Sequence, residues 1–428
     1  IEPVTISKMV KVFLKNHSDQ LRVSDEKSLF TMKGSEWRHT RMKLSSAYTT
    51  AKVKMMFALV QKCSETLREV VDKYTDDNSV VDVKDFLSRF TVDVIASCAF
   101  GIEINSLLDK ESTFYRLGAE CMELNFTTLL KLFVSNSFPI LNNFKLFSFM
   151  DPKISNYFTG VVRSAVEYRE KHNICRYDFL DLLIKLRQNQ SILEEGETPE
   201  DLADMAMPGK REGLTIEEIA AETFLFYSAG YETTSNTIVF CLYELACNSK
   251  IQDKLSLEVE ETLDRHEGKI CYQALQEMTY MDQVVCETLR RYPTFPFLSR
   301  WCTEDYAVPK SSLSIKKGNH VTIPIYSLHH DPIHFPDPFT FNPDRFSTEN
   351  CKERHPYAYI PFGEGPRMCI GQKFGLINVK TAVATLVLDY QFSLAPVTDF
   401  PLKLTNNACT TVPAKPIKIV FTRRKTKI

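Results

Sequence analysis

Apolar positions along this chain recur mainly at intervals of three and four. Phe86, Phe90, Val94 and Ile95 make one series and Phe179, Leu180, Leu182, Leu183 and Leu186 another, so residues 35–227 predict helices in long blocks. Thr215 followed three residues later by Glu218 has capping-box spacing, which places the start of a long helix near 215 and carries it to about 247. Further helices are predicted at 249–265, 280–292 and 372–389, the last from Phe374, Ile377, Val379, Val383, Leu386 and Val387. Prolines at 293, 296, 309, 324, 332, 336, 338 and 343 break the periodicity between the second and third of these. Short strands fit at 319–325 and 417–422. Residues 188–212, polar and acidic with Pro199, Pro208 and Gly209, read as an exposed connector inside the fold. The pattern is that of a mainly α chain with small β-sheets, of the α+β class. No boundary or repeat divides it, so 1–428 is read as a single domain.

Composition narrows this picture. A chain of 428 residues with 44% hydrophobic side chains can bury a large core, and only 14 glycines favour helices over a turn-rich β fold. The net charge of −2 gives no general case for nucleic acid as a partner. The 12 cysteines form no C-x-x-C pair and read as reduced, mostly buried thiols. His330 and His334 are four apart, but Pro332 between them argues against a helix presenting both to a metal. No run of eighteen apolar residues exists to span a bilayer. The first residue is Ile1, and the opening lacks the apolar core of a signal peptide, so the start is expected to be missing.

The decisive chemistry lies in Phe362-Gly363-Glu364-Gly365-Pro366-Arg367-Met368-Cys369-Ile370-Gly371. A thiolate needs N–H donors, a positive neighbour, a helix N-terminus or a metal to stabilise it, and this stretch offers all of them around Cys369. Upstream, Ala229-Gly230-Tyr231-Glu232-Thr233-Thr234 puts a small pair before a carboxylate and two hydroxyls on the long helix. Small residues let a flat ligand or dioxygen approach, a Thr hydroxyl bonded to the carbonyl four back loosens the ladder, and Glu232 with Thr233 can then relay protons. Glu287 and Arg290 sit three apart on one helix, the spacing of a simple ion pair. Trp37 and Arg41, four apart, share a helix face, a spacing that serves packing or a cation–π contact as readily as two donors to one carboxylate.

Taken together these motifs resemble the cytochrome P-450 superfamily. The Cys369 segment fills every specified position of its haem loop, F-x-x-G-x-R-x-C-x-G, and Ala229 to Thr234 matches its distal A/G-G-x-D/E-T-T/S. Glu287 and Arg290 match its E-x-x-R, with Arg345 of Phe341-Asn342-Pro343-Asp344-Arg345-Phe346 as third member of a buried charged network. Trp37, Arg41, Arg300 and Arg367 match its propionate-binding positions, and Ala229, Gly230, Phe362 and Gly371 fall where it contacts the cofactor. Details such as Asp93 to Gly101 look most like microsomal insect members of the branch associated with xenobiotic metabolism.

The resemblance implies a haem-thiolate monooxygenase carrying haem b (iron protoporphyrin IX), with Cys369 as iron ligand, Thr233 and Glu232 delivering protons to bound O2, and lipophilic small molecules as substrates. Phe226, Tyr227, Phe295, Phe297, Leu298 and Thr410 are expected pocket walls by position. Without a G-x-G-x-x-G after a strand, NADPH acts only through a partner reductase, with cytochrome b5 as a second donor. Arg38, Lys43, Lys52, Lys54 and Lys373 are expected to make a basic docking face. The resemblance further implies a monomer on the cytosolic face of the endoplasmic reticulum membrane, whose anchor helix, hinge and first strands do not precede Ile1. The stretch 133–150, with five phenylalanines, is expected to dip into the membrane surface. Two alternatives keep the haem: an isomerase or dehydratase of peroxides, whose members commonly lose the distal threonine present here as Thr233, and a non-catalytic haem-binding protein.

Overall fold

The computed structural model describes residues 28–30, 32, 34–77, 79–122, 151–188, 213–405 and 410–424. The connector at 188–212, after its first residue, and the phenylalanine-rich stretch at 133–150 lie outside them. Helices α1 (Gly34–Ser45), α2 (Thr50–Asp76) and α3 (Val83–Ile95) are followed by α4 (Thr113–Met122), α5 (Pro152–His172) and α6 (Phe179–Arg187). The long helix α7 (Ile216–Cys247) precedes α8 (Ser249–Asp264), α9 (Tyr272–Glu277) and α10 (Thr279–Arg291). Beyond the proline-rich stretch come the short α11 (Ile325–His329) and α12 (Thr348–Cys351), then α13 (Gln372–Asp389).

Local sequence sets most of these boundaries. Thr49, Asp82, Asp151 and Asp178 each accept a backbone N–H at the start of α2, α3, α5 and α6. At α7 the expected capping box is complete: Thr215 Oγ1 accepts the Glu218 N–H and Glu218 accepts the Thr215 N–H. Helix α13 starts differently. Its N-cap, Gly371, has no side chain, so no side chain competes for the N–H groups at its positive end.

Helices α7 and α13 form the middle of the molecule. Apolar residues surround both rather than forming one stripe, the pattern of a helix covered on all sides. They meet where Phe374 packs edge-on to Phe226 at 5.0 Å, and Gly375 lies beside Thr234. Helix α3 lies against α7 where an added Cβ on Gly230 would come within 3.2 Å of Ile95 Cδ1.

Three small antiparallel sheets complete the fold. β7 (Lys418–Arg423) sits between β1 (Val80–Asp82) and β6 (Tyr390–Leu394), pairing Val81 with Ile419 and Phe392 with Phe421. β2 (Leu298–Trp301) pairs with β5 (His320–Ile323), placing Arg300 opposite Val321, and β3 (Tyr306–Ala307) pairs with β4 (Ser314–Ile315). Among the described residues no helix is long and apolar enough to cross a membrane.

Candidate functional site

The cysteine loop is held from both ends. Gly363 and Gly365 adopt positive φ, 74° and 78°, which turns the chain tightly before Pro366. The Cys369 N–H donates to Phe362 O at 2.9 Å and the Gly363 N–H to Ile360 O at 3.0 Å, closing the loop on itself. Arg41 Nη2 on α1 donates to Met368 O at 2.8 Å, so an early helix clamps the residue before the cysteine.

The side chain of Cys369 is open to solvent, yet the surrounding protein desolvates it enough to push its thiol pKa up; the Gly371 N–H and the Arg41 charge oppose this only in part. Burial thus outweighs the N–H donor and the positive neighbour, two of the four stabilising groups expected around Cys369, the helix N-terminus and a metal being the others.

Around this thiol three guanidiniums converge from distant parts of the chain. Arg367 has its basicity lowered by burial and then by Arg300 and Arg41, so these like charges stand close enough to repel. Arg367 Nη2 donates to Met32 O at 3.1 Å and Arg300 Nη1 to Ser299 O at 2.9 Å. Among the described residues none of the three has a carboxylate at ion-pair distance; their partners are backbone carbonyls. Arg367 lies over the Trp37 ring at 4.2 Å. Trp37 therefore supports Arg367, whereas spacing suggested that it acts beside Arg41.

Behind the loop, Glu287 and Arg290 make the expected pair with both side chains fully buried. Arg290 Nε and Nη2 reach the two carboxylate oxygens at 2.6 and 2.9 Å. Arg345 stands off at 3.5 Å, and the Asn342 N–H donates to Glu287 at 2.9 Å. Arg290 also donates to the carbonyls of His329 and Pro338. His329, absent from the sequence reading, carries this network onward: burial pushes its pKa down to about 3, so Nε2 stays free to accept the Ile360 N–H at 3.0 Å. An ion pair at 287–290 thus reaches the cysteine loop through one neutral histidine.

On the distal side, Thr233 Oγ1 donates to Ala229 O at 2.6 Å, the back-bond its spacing suggested. Glu232 Oε1 accepts the Thr410 hydroxyl at 3.2 Å, and the Thr411 hydroxyl donates to Pro293 O. These bonds bring the C-terminal segment, α7 and the chain leading to Phe295, Phe297 and Leu298 to one place. Three more of the expected residues have the following surroundings. Phe226 lies on the Thr233 face but two turns away, covered by Tyr48, Phe179 and Phe374. Tyr227 is fully buried among Phe114, Phe158 and Phe224. A Cβ on Gly230 would come within 3.2 Å of Ile95 Cδ1, so the missing side chain here also serves helix packing.

The sequence profile of the family described as Cytochrome P450 matches residues 6–421. The chain is 39% identical over 379 residues to a Probable cytochrome P450 6a13 of Drosophila melanogaster, covering 89% of this chain and 72% of that protein. It is 40% identical over 375 residues to Cytochrome P450 6a9 of the same species, covering 87% and 72%. With Cytochrome P450 6j1 of Blattella germanica it shares 37% identity over 397 residues, 93% of this chain and 74% of the relative. A mainly helical fold with a clamped cysteine loop and a long central helix is that of a haem-thiolate oxygenase. The chain belongs to the cytochrome P450 family and is a monooxygenase of that family. The residues present suit the family's cofactor, because three guanidiniums without carboxylate partners match a group that brings two carboxylates of its own.

Proposed function

We propose that this monooxygenase inserts one atom of O2 into lipophilic small molecules of the xenobiotic type, with electrons passed from NADPH by a separate flavoprotein reductase. Haem b held through Cys369 supplies the oxygen chemistry, the thiolate's electron donation favouring O–O cleavage. Arg41, Arg300 and Arg367 hold the propionates, Trp37 backs Arg367, and Phe362 and Gly371 frame the sulfur. Their unpaired convergence beside Cys369 is the observation that carries the reading.

Thr233 keeps its hydroxyl proton on Ala229 O and can turn it toward the cleft, while Glu232, steadied by Thr410, stands one residue away to replace it. Ala229, Phe295, Phe297, Leu298 and Thr410 line the substrate side. The reductase meets a basic face that lacks Lys52, which is buried; Arg38, Lys54 and Lys373 are exposed, Lys373 donating to the Thr50 hydroxyl at 2.7 Å. The endoplasmic reticulum surface, where the resemblance puts such enzymes, is the proposed location.

The test is reconstitution with haem, followed by the reduced carbon monoxide spectrum and NADPH-dependent turnover with added reductase. A thiolate-type spectrum that disappears in Cys369→Ala is expected. A histidine- or water-type spectrum from the unaltered chain would overturn the assignment of Cys369.

A further inference from the structure

We propose that Cys271, His266 and Glu277 form a second chemical site, a nucleophilic thiol that adds to soft electrophiles of the α,β-unsaturated carbonyl class. The site lies in the turn between α8 and α9, outside the cysteine loop. Glu267 and Gly268 both take positive φ there, and the N–H groups of His266 and Gly268 return to Leu263 O at 2.8 and 2.9 Å. This folds the turn back so that His266 faces the thiol. Cys271 Sγ lies 3.6 Å from His266 Nδ1, within reach of an S–H···N hydrogen bond. The other ring nitrogen, Nε2, is 2.9 Å from Glu277 Oε1, and Arg265 Nη2 holds the second carboxylate oxygen at 3.2 Å. The carboxylate is thus pinned at both oxygens, and His266 with Arg265 holds its pKa below the usual range.

A thiol, an imidazole and a carboxylate in line are the parts of an activated nucleophile: the base takes the thiol proton and the third group fixes the tautomer of the base. Among the described residues Cys271 is the one cysteine hydrogen-bonded to a histidine. Its sulfur also accepts the Ala274 N–H at 3.4 Å, which fixes the thiol beside His266. In the addition, His266 Nδ1 takes the Sγ proton and a C–S bond forms at the β-carbon of the electrophile. The π pair moves to the carbonyl as an enolate, and the imidazolium returns its proton to the α-carbon. No oxidant or reductant is consumed.

The experiment treats the haem-loaded full chain with limiting N-ethylmaleimide at neutral pH and quantifies each cysteine by peptide mass spectrometry. Cys271 is less exposed than Cys175 and Cys351, so simple accessibility ranks it behind both. An unactivated thiol is only a few per cent thiolate at neutral pH, so activation is expected to put Cys271 about tenfold ahead of them. His266→Gln should remove that lead, and Glu277→Gln should cut it several-fold while Cys175 and Cys351 keep their rates. A variant that unfolds reveals itself because all buried cysteines then label together, and the Glu277→Gln arm decides in its place. Labelling in the order of exposure, or a Cys271 rate unchanged in both variants, overturns the proposal.

Discussion

The cysteine loop and the hydroxyls of the Thr233 stretch of α7 are held by different kinds of bond. The loop is tied by bonds between distant segments: Arg41 to Met368, Arg290 to His329 and His329 to Ile360. On α7 the hydroxyls of Ser228, Thr233, Ser235 and Thr237 return to carbonyls three or four residues back in the same helix. Bonds of the first kind fix a position, because each partner belongs to a different element. Bonds of the second kind satisfy the hydroxyl locally and can be exchanged for a ligand at little cost. A metal ligand benefits from the former and a proton donor from the latter.

The largest predicted effect tests the loop side. Arg290→Leu leaves Glu287 buried without its partner and frees the carbonyls of His329 and Pro338, for an expected loss of about 3–5 kcal/mol and no recoverable thiolate-type spectrum. Denaturant unfolding of the variant measures this; a loss below about 1 kcal/mol, as for a surface pair, would mean that the loop is not held through Arg290.

The next prediction concerns the α7 side, near its start. Glu222 accepts the Leu29 N–H at 2.7 Å, and burial, aided by Glu218, raises its pKa to about 8. The folded state then keeps a proton that the unfolded chain loses near pH 4.5, so stability is full below that pH and falls as pH rises through about 8. Glu222→Gln keeps the acceptor and should remove this decline, worth at most about 5 kcal/mol. Thermal unfolding across pH 5 to 9 reads it, and parallel curves for both proteins would contradict it.

The smallest effect on stability belongs to Thr233→Val, which deletes a within-helix back-bond and should change unfolding by no more than about 0.5 kcal/mol. The product formed per NADPH consumed should nevertheless fall several-fold. A stability loss like that of Arg290→Leu would erase the contrast between the two sides.

The parts legible in the sequence are those whose cause is local. The capping box placed the start of α7 at Ile216, and apolar periodicity matched α13 at 372–389, because both depend on residues within a turn or two of each other. Strand β6 was missed although Tyr390-Gln391-Phe392-Ser393-Leu394 alternates apolar with polar; its partner β7 begins at Lys418, and pairing over that distance leaves only a short signal. His329 was missed for the same reason, since its acceptor role depends on an amide 31 residues away. The surroundings of Phe226 and Tyr227 were not legible because nearness in sequence to Ala229 does not say which neighbouring helices close over them.

The sequence by itself determined the chemistry available: one cysteine in a Gly-Pro-Arg loop, a Glu-Thr pair on a long helix, and arginines at defined spacings. These are properties of residue type and short separation, which survive in an unfolded chain. Tertiary structure decided what that chemistry faces. It brought Arg41, Arg300 and Arg367 together with no carboxylate among the described residues at ion-pair distance, turned Gly230 toward Ile95, and set burial against the Cys369 thiolate. Convergence and desolvation depend on which distant segments pack together, and neither is written in any one stretch of the chain.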